Sequence, residues 1–362
     1  MYERELLALK RANRFRKREI FKNLKDFASN DYLALASKKS LLKKSFKELK
    51  NYPYNSPKAS LLVNGYTKFH KRFEEELCKY NGFESGIVLG SGFLANIALI
   101  EALPRRGDLV LIDEEFHASG ILASKLTMAN VKFFRHNDAN DLEKKIKNVE
   151  AKRVFIVVEG VYSMSGDILN YDIFDIADRK EAILIIDEAH SSGVIGENLL
   201  GVFDCYDKEV KENYIKMGTL GKAYGSYGAY ILANKEIISF LENRAKPIIY
   251  TTALSLFDTI LAHNGFRYIQ KNKDRLRKKI DKRKEAIKSI LNFEISSMIL
   301  PIELKDNSSL LKVKEELLRN GYIVGAIRPP TVKKPMLRVI PRLEYSKKDF
   351  VKLLKKIRDV CM

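Results

Sequence analysis

Short apolar runs rich in β-branched residues, bounded by glycine, aspartate or other turn-forming residues, recur through the first two thirds of the chain: Ile87–Gly90, Leu109–Asp113, Val131–Arg135, Val154–Val158, Ile183–Asp187, Ile215–Gly218 and Ala229–Ala233. Continuous runs, rather than alternating ones, are what strands buried on both faces of a parallel sheet require. Between them the pattern turns helical, as at Ala95–Leu103, Asp141–Val149 and Ile173–Ala177. Strand and helix therefore alternate, which predicts an α/β domain over roughly residues 50–240.

A long helical stretch at 254–291 follows, its charged residues outnumbering the apolar ones towards the end, as a connecting helix with a solvated face requires. Beyond it, strand-like Phe293–Leu304, helical Ser308–Asn320, strands Tyr322–Arg328 and Pro335–Ile340, and a last helix Lys347–Val360 predict a smaller α+β unit. The expected organisation is an N-terminal helix and lead-in over 1–50, a large α/β domain over 51–253, connecting helices over 254–291 and a C-terminal α+β domain over 292–362.

Composition narrows the class. With 362 residues, 46% of them hydrophobic, the chain can bury one large core and a smaller one. No apolar stretch reaches the length of about 18 residues that spans a bilayer, and the polar run Arg11–Lys25 lacks the apolar segment of a secretory signal, so a soluble cytoplasmic protein without a membrane partner is expected. Cys78, Cys205 and Cys361 are scattered and odd in number, which fits neither a disulfide framework nor a paired-cysteine metal site. The net charge of +19 raises nucleic-acid binding as a question. Its lysines are spread over 271–290, 346–357 and the N-terminal segment, without interleaved aromatics or a zinc-finger spacing, so no nucleic-acid partner is expected. A generally lysine-rich composition gives the same balance; an acidic protein partner or an anionic substrate is the sharper reading.

Three segments carry chemistry. Gly218-Thr219-Leu220-Gly221-Lys222-Ala223-Tyr224-Gly225 sets a lysine among small residues just past a strand, where a partly buried amine sheds its charge more easily and becomes a nucleophile towards an aldehyde. Alone, such a segment reads as a glycine turn with a solvated lysine. The strand Ile183–Ile186 ends in Asp187-Glu188-Ala189-His190, at the carboxyl edge where open α/β sheets place ligands. A carboxylate there can pair with a protonated pyridine nitrogen, and an imidazole can bond the ring's phenolic oxygen. The same four residues resemble a helicase motif, but no Gly-x-x-x-x-Gly-Lys-Ser/Thr phosphate loop accompanies them. Gly90-Ser91-Gly92-Phe93-Leu94-Ala95-Asn96 opens a helix after a strand, where backbone N–H groups and the helix dipole meet a phosphate. In Phe116-His117-Ala118-Ser119 an aromatic face can lie over a cofactor ring, although a lone histidine is more often structural.

These segments, in this order and with Asp187 thirty-five positions before Lys222, resemble the fold-type I pyridoxal-phosphate (PLP) enzymes of the α-oxoamine synthase family. Asn30-Asp31-Tyr32-Leu33, Val63-Asn64-Gly65-Tyr66, Glu159-Gly160-Val161-Tyr162-Ser163-Met164-Ser165-Gly166-Asp167 and Ala326-Ile327-Arg328-Pro329-Pro330-Thr331-Val332 extend the resemblance from about Asn30 to the last helix. It implies a mostly parallel central sheet flanked by helices with a smaller α+β C-terminal domain, and Lys222 carrying PLP as an aldimine. By the same resemblance Asp187 binds the pyridine nitrogen, His117 stacks on the ring, and His190 and Ser163 reach its phenolic oxygen. Gly92, Phe93 and Thr219 hold the phosphate, and Thr251 and Thr252 reach the phosphate of a neighbouring subunit, which implies a homodimer with shared sites. Arg338 matches an arginine that grips an amino-acid carboxylate, while Arg16, Asn30 and Thr331 match positions that contact substrate.

The implied reaction condenses L-alanine with a pimeloyl thioester, on coenzyme A or acyl carrier protein, releasing carbon dioxide in biotin synthesis. Lys222 would also move the alanine α-proton. The alternatives are sister enzymes that use glycine or serine, and a non-catalytic basic protein, against which Lys222 argues. One segment departs from the family: in Ser56-Pro57-Lys58-Ala59-Ser60-Leu61 a glycine-rich pattern is replaced by Pro57 and Lys58, which puts the loop's backbone angles and the choice of acyl donor in question.

Overall fold

In the computed structural model, which describes residues 1–147 and 149–361, the apolar runs become one seven-stranded sheet. Its strands are β1 (Ser85–Leu89), β2 (Leu109–Asp113), β3 (Asn130–Phe134), β4 (Val154–Glu159), β5 (Ile183–Asp187), β6 (Tyr214–Thr219) and β7 (Ala229–Ala233), in the order β1-β7-β6-β5-β4-β2-β3. Each falls within a residue or two of its expected position. The central strands are buried along almost their whole length, as unbroken apolar runs demand. Ile112, Phe155, Val157, Ile185, Ile215 and Ile231 pack with the helix Gly92–Ala102 into one core.

One strand corrects the parallel expectation. β7 runs antiparallel to both β6 and β1, while the other strands are parallel. Parallel neighbours need a crossover of about a dozen residues or more. Only residues 220–228 separate β6 from β7, so the chain can do no more than turn back, and Lys222 sits in that turn.

Helix boundaries follow their caps. The helix expected from Ala95 begins at Gly92, because the Ser91 hydroxyl accepts from Leu94 N (3.3 Å) and draws the first turn back. Of the helix expected over Asp141–Val149, the structure shows Ala139–Ile146, capped by Asp138 on Asp141 N (2.9 Å); Asn148 lies outside the described residues.

The chain divides into two compact units, the larger formed by residues 33–163 and 167–277 and the smaller by 1–32, 164–166 and 278–362. The smaller unit holds a three-stranded antiparallel sheet of β8 (Leu300–Glu303), β9 (Gly325–Ile327) and β10 (Met336–Val339), with β10 central. Two expectations change here. The strand expected over Phe293–Leu304 forms only from Leu300, and Ser297 instead donates its hydroxyl to Gly166 O (2.7 Å). The strand expected over Tyr322–Arg328 splits, Tyr322–Ile323 pairing with Lys25–Asp26 and β9 pairing with β10. That pairing brings the N-terminal lead-in into this unit, where Phe27 is fully buried with Leu300, Leu317, Leu337 and Leu353. The long helix runs Leu256–Leu291 and breaks its regular angles at Asn272.

In the larger unit a polar knot fastens the turn after β4 to the ends of β2 and β3. His136 lies between Asp113 (Nδ1 to Oδ1, 3.1 Å) and Asp167 (Nε2 to Oδ2, 3.1 Å), and Tyr162 donates its hydroxyl to Asp113 Oδ2 (2.7 Å). Burial works against charge on His136, but the hydrogen bonds and charges of Asp113 and Asp167 outweigh it and push the imidazole up to about 10. A folded-state value raised above the unfolded one contributes stability that is complete below about pH 6.5 and lost as pH rises through about 10. Urea midpoints at pH 6, 8 and 10 should therefore fall more steeply for the unaltered protein than for His136→Gln, the two converging at the alkaline end.

Candidate active site

The carboxyl ends of β1, β2, β4, β5 and β6 deliver, in turn, the Gly92 helix, His117, Ser163, the pair Asp187 and His190, and Lys222. The Lys222 turn is tightly built: Leu220 N donates to Gly228 O (2.8 Å), Ser226 N to Leu220 O (3.0 Å) and Gly225 N to Lys222 O (3.0 Å). Gly225 is required there. Its φ of +65° is left-handed, and a Cβ would stand 2.7 Å from the backbone of Leu35 and Ala36. The turn holds Lys222 Nζ 2.6 Å from His190 Nε2.

A chain of hydrogen bonds runs under this edge. His117 Nδ1 meets Ser119 Oγ (2.8 Å), and Asn96 Nδ2 donates to both Ser119 Oγ (2.9 Å) and Asp187 Oδ2 (2.8 Å). Ala189 N donates to Asp187 Oδ1 (2.9 Å). Burial holds the His117 imidazole below its ordinary value; Asp187 opposes that shift and Lys222 adds to it. Asp187 and Lys222 thus both act on this one ring.

Thr219 Oγ1 donates to Gly228 O (3.0 Å) and accepts from Gly221 N (3.3 Å), and a Cβ built on Gly92 would stand 3.9 Å from Thr219 Cβ, at the start of the Gly92–Ala102 helix. Thr251 donates its hydroxyl to Pro247 O (2.5 Å), and Ala253 N binds Ala59 O (3.0 Å), tying the Thr251–Thr252 segment to the loop that carries Lys58.

The remaining candidates belong to the smaller unit. Buried Arg338 donates through Nη1 to Asn30 Oδ1 (3.0 Å), and Arg16 Nη2 reaches Thr331 Oγ1 (3.4 Å). These two pairs join residues more than 300 positions apart.

Such a set fits PLP on its own chemistry. Asp187 supplies a buried carboxylate for a pyridinium nitrogen, Lys222 an amine for an aldehyde, His117 an aromatic face, and the Gly92–Phe93 helix start a phosphate seat. Asn96 Oδ1, on the amide that donates to Asp187, is sealed from solvent without a hydrogen-bond partner, as happens where a polar site is completed by something further.

Residues 22–357 match the family model "Aminotransferase class I and II". The 8-amino-7-oxononanoate synthase of Helicobacter pylori is 46% identical over 352 residues, 96% of this chain and 94% of that one. The chain belongs to the 8-amino-7-oxononanoate synthase family. Among solved structures, the Francisella tularensis 8-amino-7-oxononanoate synthase aligns with a TM-score of 0.77 at 28% identity, over 93% of this chain and 97% of that one. The Sphingomonas wittichii serine palmitoyltransferase aligns at 0.87 and 24% identity, over 93% and 88%, which establishes the shared fold alone. As a member of this family the chain is a PLP-dependent enzyme of fold type I.

Three residues of the network had no role assigned from sequence: Asn96, Ser119 and Glu159. Asn96 stands four positions after Gly92, one helical turn on, which is the one signal that a polar side chain there faces the same way as the phosphate seat. The departure at Lys58 has a conformational meaning. Lys58 sits at φ +69°, the left-handed region that favours glycine, with its ammonium 3.6 Å from the centre of the Tyr54 ring. Lys58→Gly should therefore be more stable than Lys58→Ala by about 1 kcal/mol, since both lose the ammonium but only glycine relieves the backbone; urea denaturation of the two variants measures the difference.

Proposed function

We propose that the chain condenses L-alanine with a pimeloyl thioester to give 8-amino-7-oxononanoate, carbon dioxide and the free thiol, within biotin synthesis. The observation that carries this reading is Lys222 Nζ lying 2.6 Å from His190 Nε2 on the sheet edge that also bears Asp187. When bound, PLP supplies an aldehyde that condenses with amines and a ring that withdraws electrons from a deprotonated carbon.

Lys222 anchors the cofactor; once the amine of alanine has taken its place, the freed Nζ removes the proton from alanine Cα. His190, in contact with Nζ, orients it and shares that proton. Asp187, held by Asn96 and Ala189 N, keeps the pyridine nitrogen protonated. The deprotonated carbon attacks the thioester carbonyl and the thiol departs. Carbon dioxide then leaves, and the proton that takes its place comes from His117 or His190. Arg338 grips the alanine carboxylate through its planar fork, with Asn30 fixing one arm, while Arg16 and Thr331 contact the acyl substrate.

The working form is a homodimer with shared sites. Val63 and Tyr250 are each 79% exposed, and Leu62, Phe93 and Tyr227 are exposed as well. Phe93 at the helix start and Tyr227 in the Lys222 turn are exposed on the segments that carry the site, which supports a surface covered by another chain, and Thr251 and Thr252 follow directly on Tyr250.

Two experiments test these readings. Protein incubated with PLP should turn yellow, bleach with hydroxylamine and, after borohydride reduction, carry the label on Lys222. Lys222→Ala should lose that label and drop turnover of alanine and pimeloyl thioester by about 100-fold or more; normal turnover in this variant would sink the mechanism. For the dimer, Lys222→Ala mixed and refolded with the double variant Thr251→Ala, Thr252→Ala should recover activity above either parent. A mixture no better than its parents means each site is built from one chain.

A further inference from the structure

Glu159 ends β4 and Asp187 ends β5, and the two residues are register partners in adjacent parallel strands. Their backbones are also joined, Gly160 N donating to Asp187 O (2.8 Å). Both side chains are buried, so two carboxyl groups stand side by side in a dry interior, where both cannot hold charge cheaply.

The donors are divided unequally. Each Asp187 oxygen has one, from Asn96 Nδ2 (2.8 Å) and from Ala189 N (2.9 Å). Glu159 Oε2 accepts from Ser163 N (2.9 Å), while Oε1 is sealed from solvent with no hydrogen bond of ordinary geometry, the His117 backbone N–H being the weakest influence on the group. An anionic oxygen left this way carries the full desolvation cost, whereas the neutral acid carries much less. We infer that Glu159 is a positioning residue: an uncharged buried acid whose Oε2 fixes the Ser163 loop and whose neutrality leaves Asp187 as the one carboxylate beneath the cofactor ring.

The groups facing Glu159 agree. Burial, with Asp187 next, raises its carboxyl well above the usual carboxylate range, against the opposing pull of Lys222 and of the Ser163 and His117 backbone N–H groups. The hydroxyl of nearby Tyr162 is turned to Asp113 instead (2.7 Å). A second full negative charge here would compete with Asp187 for the ring nitrogen's proton and would hold Lys222 charged when it has to act as a base. The neutral acid avoids both effects and still anchors the loop.

The inference rests on the site reading above, and loss of the Lys222 label reports on that reading separately. The test compares Glu159→Gln with Glu159→Ala in the full-length protein, by the affinity of the apoprotein for PLP, the absorption band of bound PLP and the pH at which that band changes. Glutamine reproduces an uncharged acceptor, so Glu159→Gln should keep kcat/KM within about threefold and leave the band and its titration in place. Glu159→Ala, which frees the Ser163 loop, should weaken PLP binding about tenfold or more and move the band. A titration in Glu159→Gln displaced downward by about one pH unit or more would show that an anion had been removed, and would overturn the inference. So would a Glu159→Ala protein that melts lower but binds PLP with unchanged affinity and spectrum, because Glu159 would then serve stability alone.

Discussion

Asp187 is 5% exposed at the end of β5, where a carboxylate without partners would cost several kcal/mol. Much of the larger unit's arrangement follows from meeting that cost. Asn96 is brought in from the Gly92–Ala102 helix to donate to one oxygen, and the chain after β5 bends so that Ala189 N can donate to the other. The same asparagine holds Ser119, which holds His117, so a single amide links the Gly92–Ala102 helix, the His117 imidazole and the Asp187 carboxylate. Each is placed relative to the others by hydrogen bonds of ordinary length.

The layout of the site was legible in the sequence because its residues follow strands that announce themselves. β2 and β5 were read to the residue, and Asp113 and Asp187 mark where each apolar run meets the sheet edge. The smaller unit was harder, since its strands are two to four residues long, too short for periodicity to separate strand from extended loop. The direction of β7 also escaped the pattern: a buried antiparallel strand and a buried parallel one have the same composition, and only the shortness of the 220–228 link distinguishes them. Glu159 was invisible for another reason. Its importance lies in which strand ends stand side by side, and that is a property of the fold.

The family resemblance and the residue-by-residue reading support each other at different depths. Resemblance named Lys222, Asp187 and His117 as partners. The structure adds how they are held: the Lys222 turn is closed by three backbone hydrogen bonds, and burial lowers the proton affinity of His117. The likeness in fold to a serine palmitoyltransferase, closer in shape than in sequence, concerns the scaffold alone. The segment that departs from the family pattern, Ser56–Leu61, has a cost of its own, since Lys58 occupies a left-handed backbone position there.

Beneath the site lies a second pair of buried charges. Glu188 and Lys216 are both fully buried, 3.6 Å apart, and Glu188 also accepts from Val202 N at 3.0 Å and from the Ser191 hydroxyl, while Lys216 donates to Leu200 O. Gly201, at φ +101°, is where the chain must pass, because a Cβ there would stand 2.1 Å from Glu188 Oε2. A buried ion pair is weak evidence for stability, since apolar residues of the same shape often do as well. Its geometry does something apolar residues could not. It ties β6, the strand that leads into Lys222, to the loop that carries His190, so the two ends of the Lys222–His190 contact share one anchor. Charge buried next to a catalytic edge is then better understood as fixing the relative height of two loops than as a contribution to the depth of the native state.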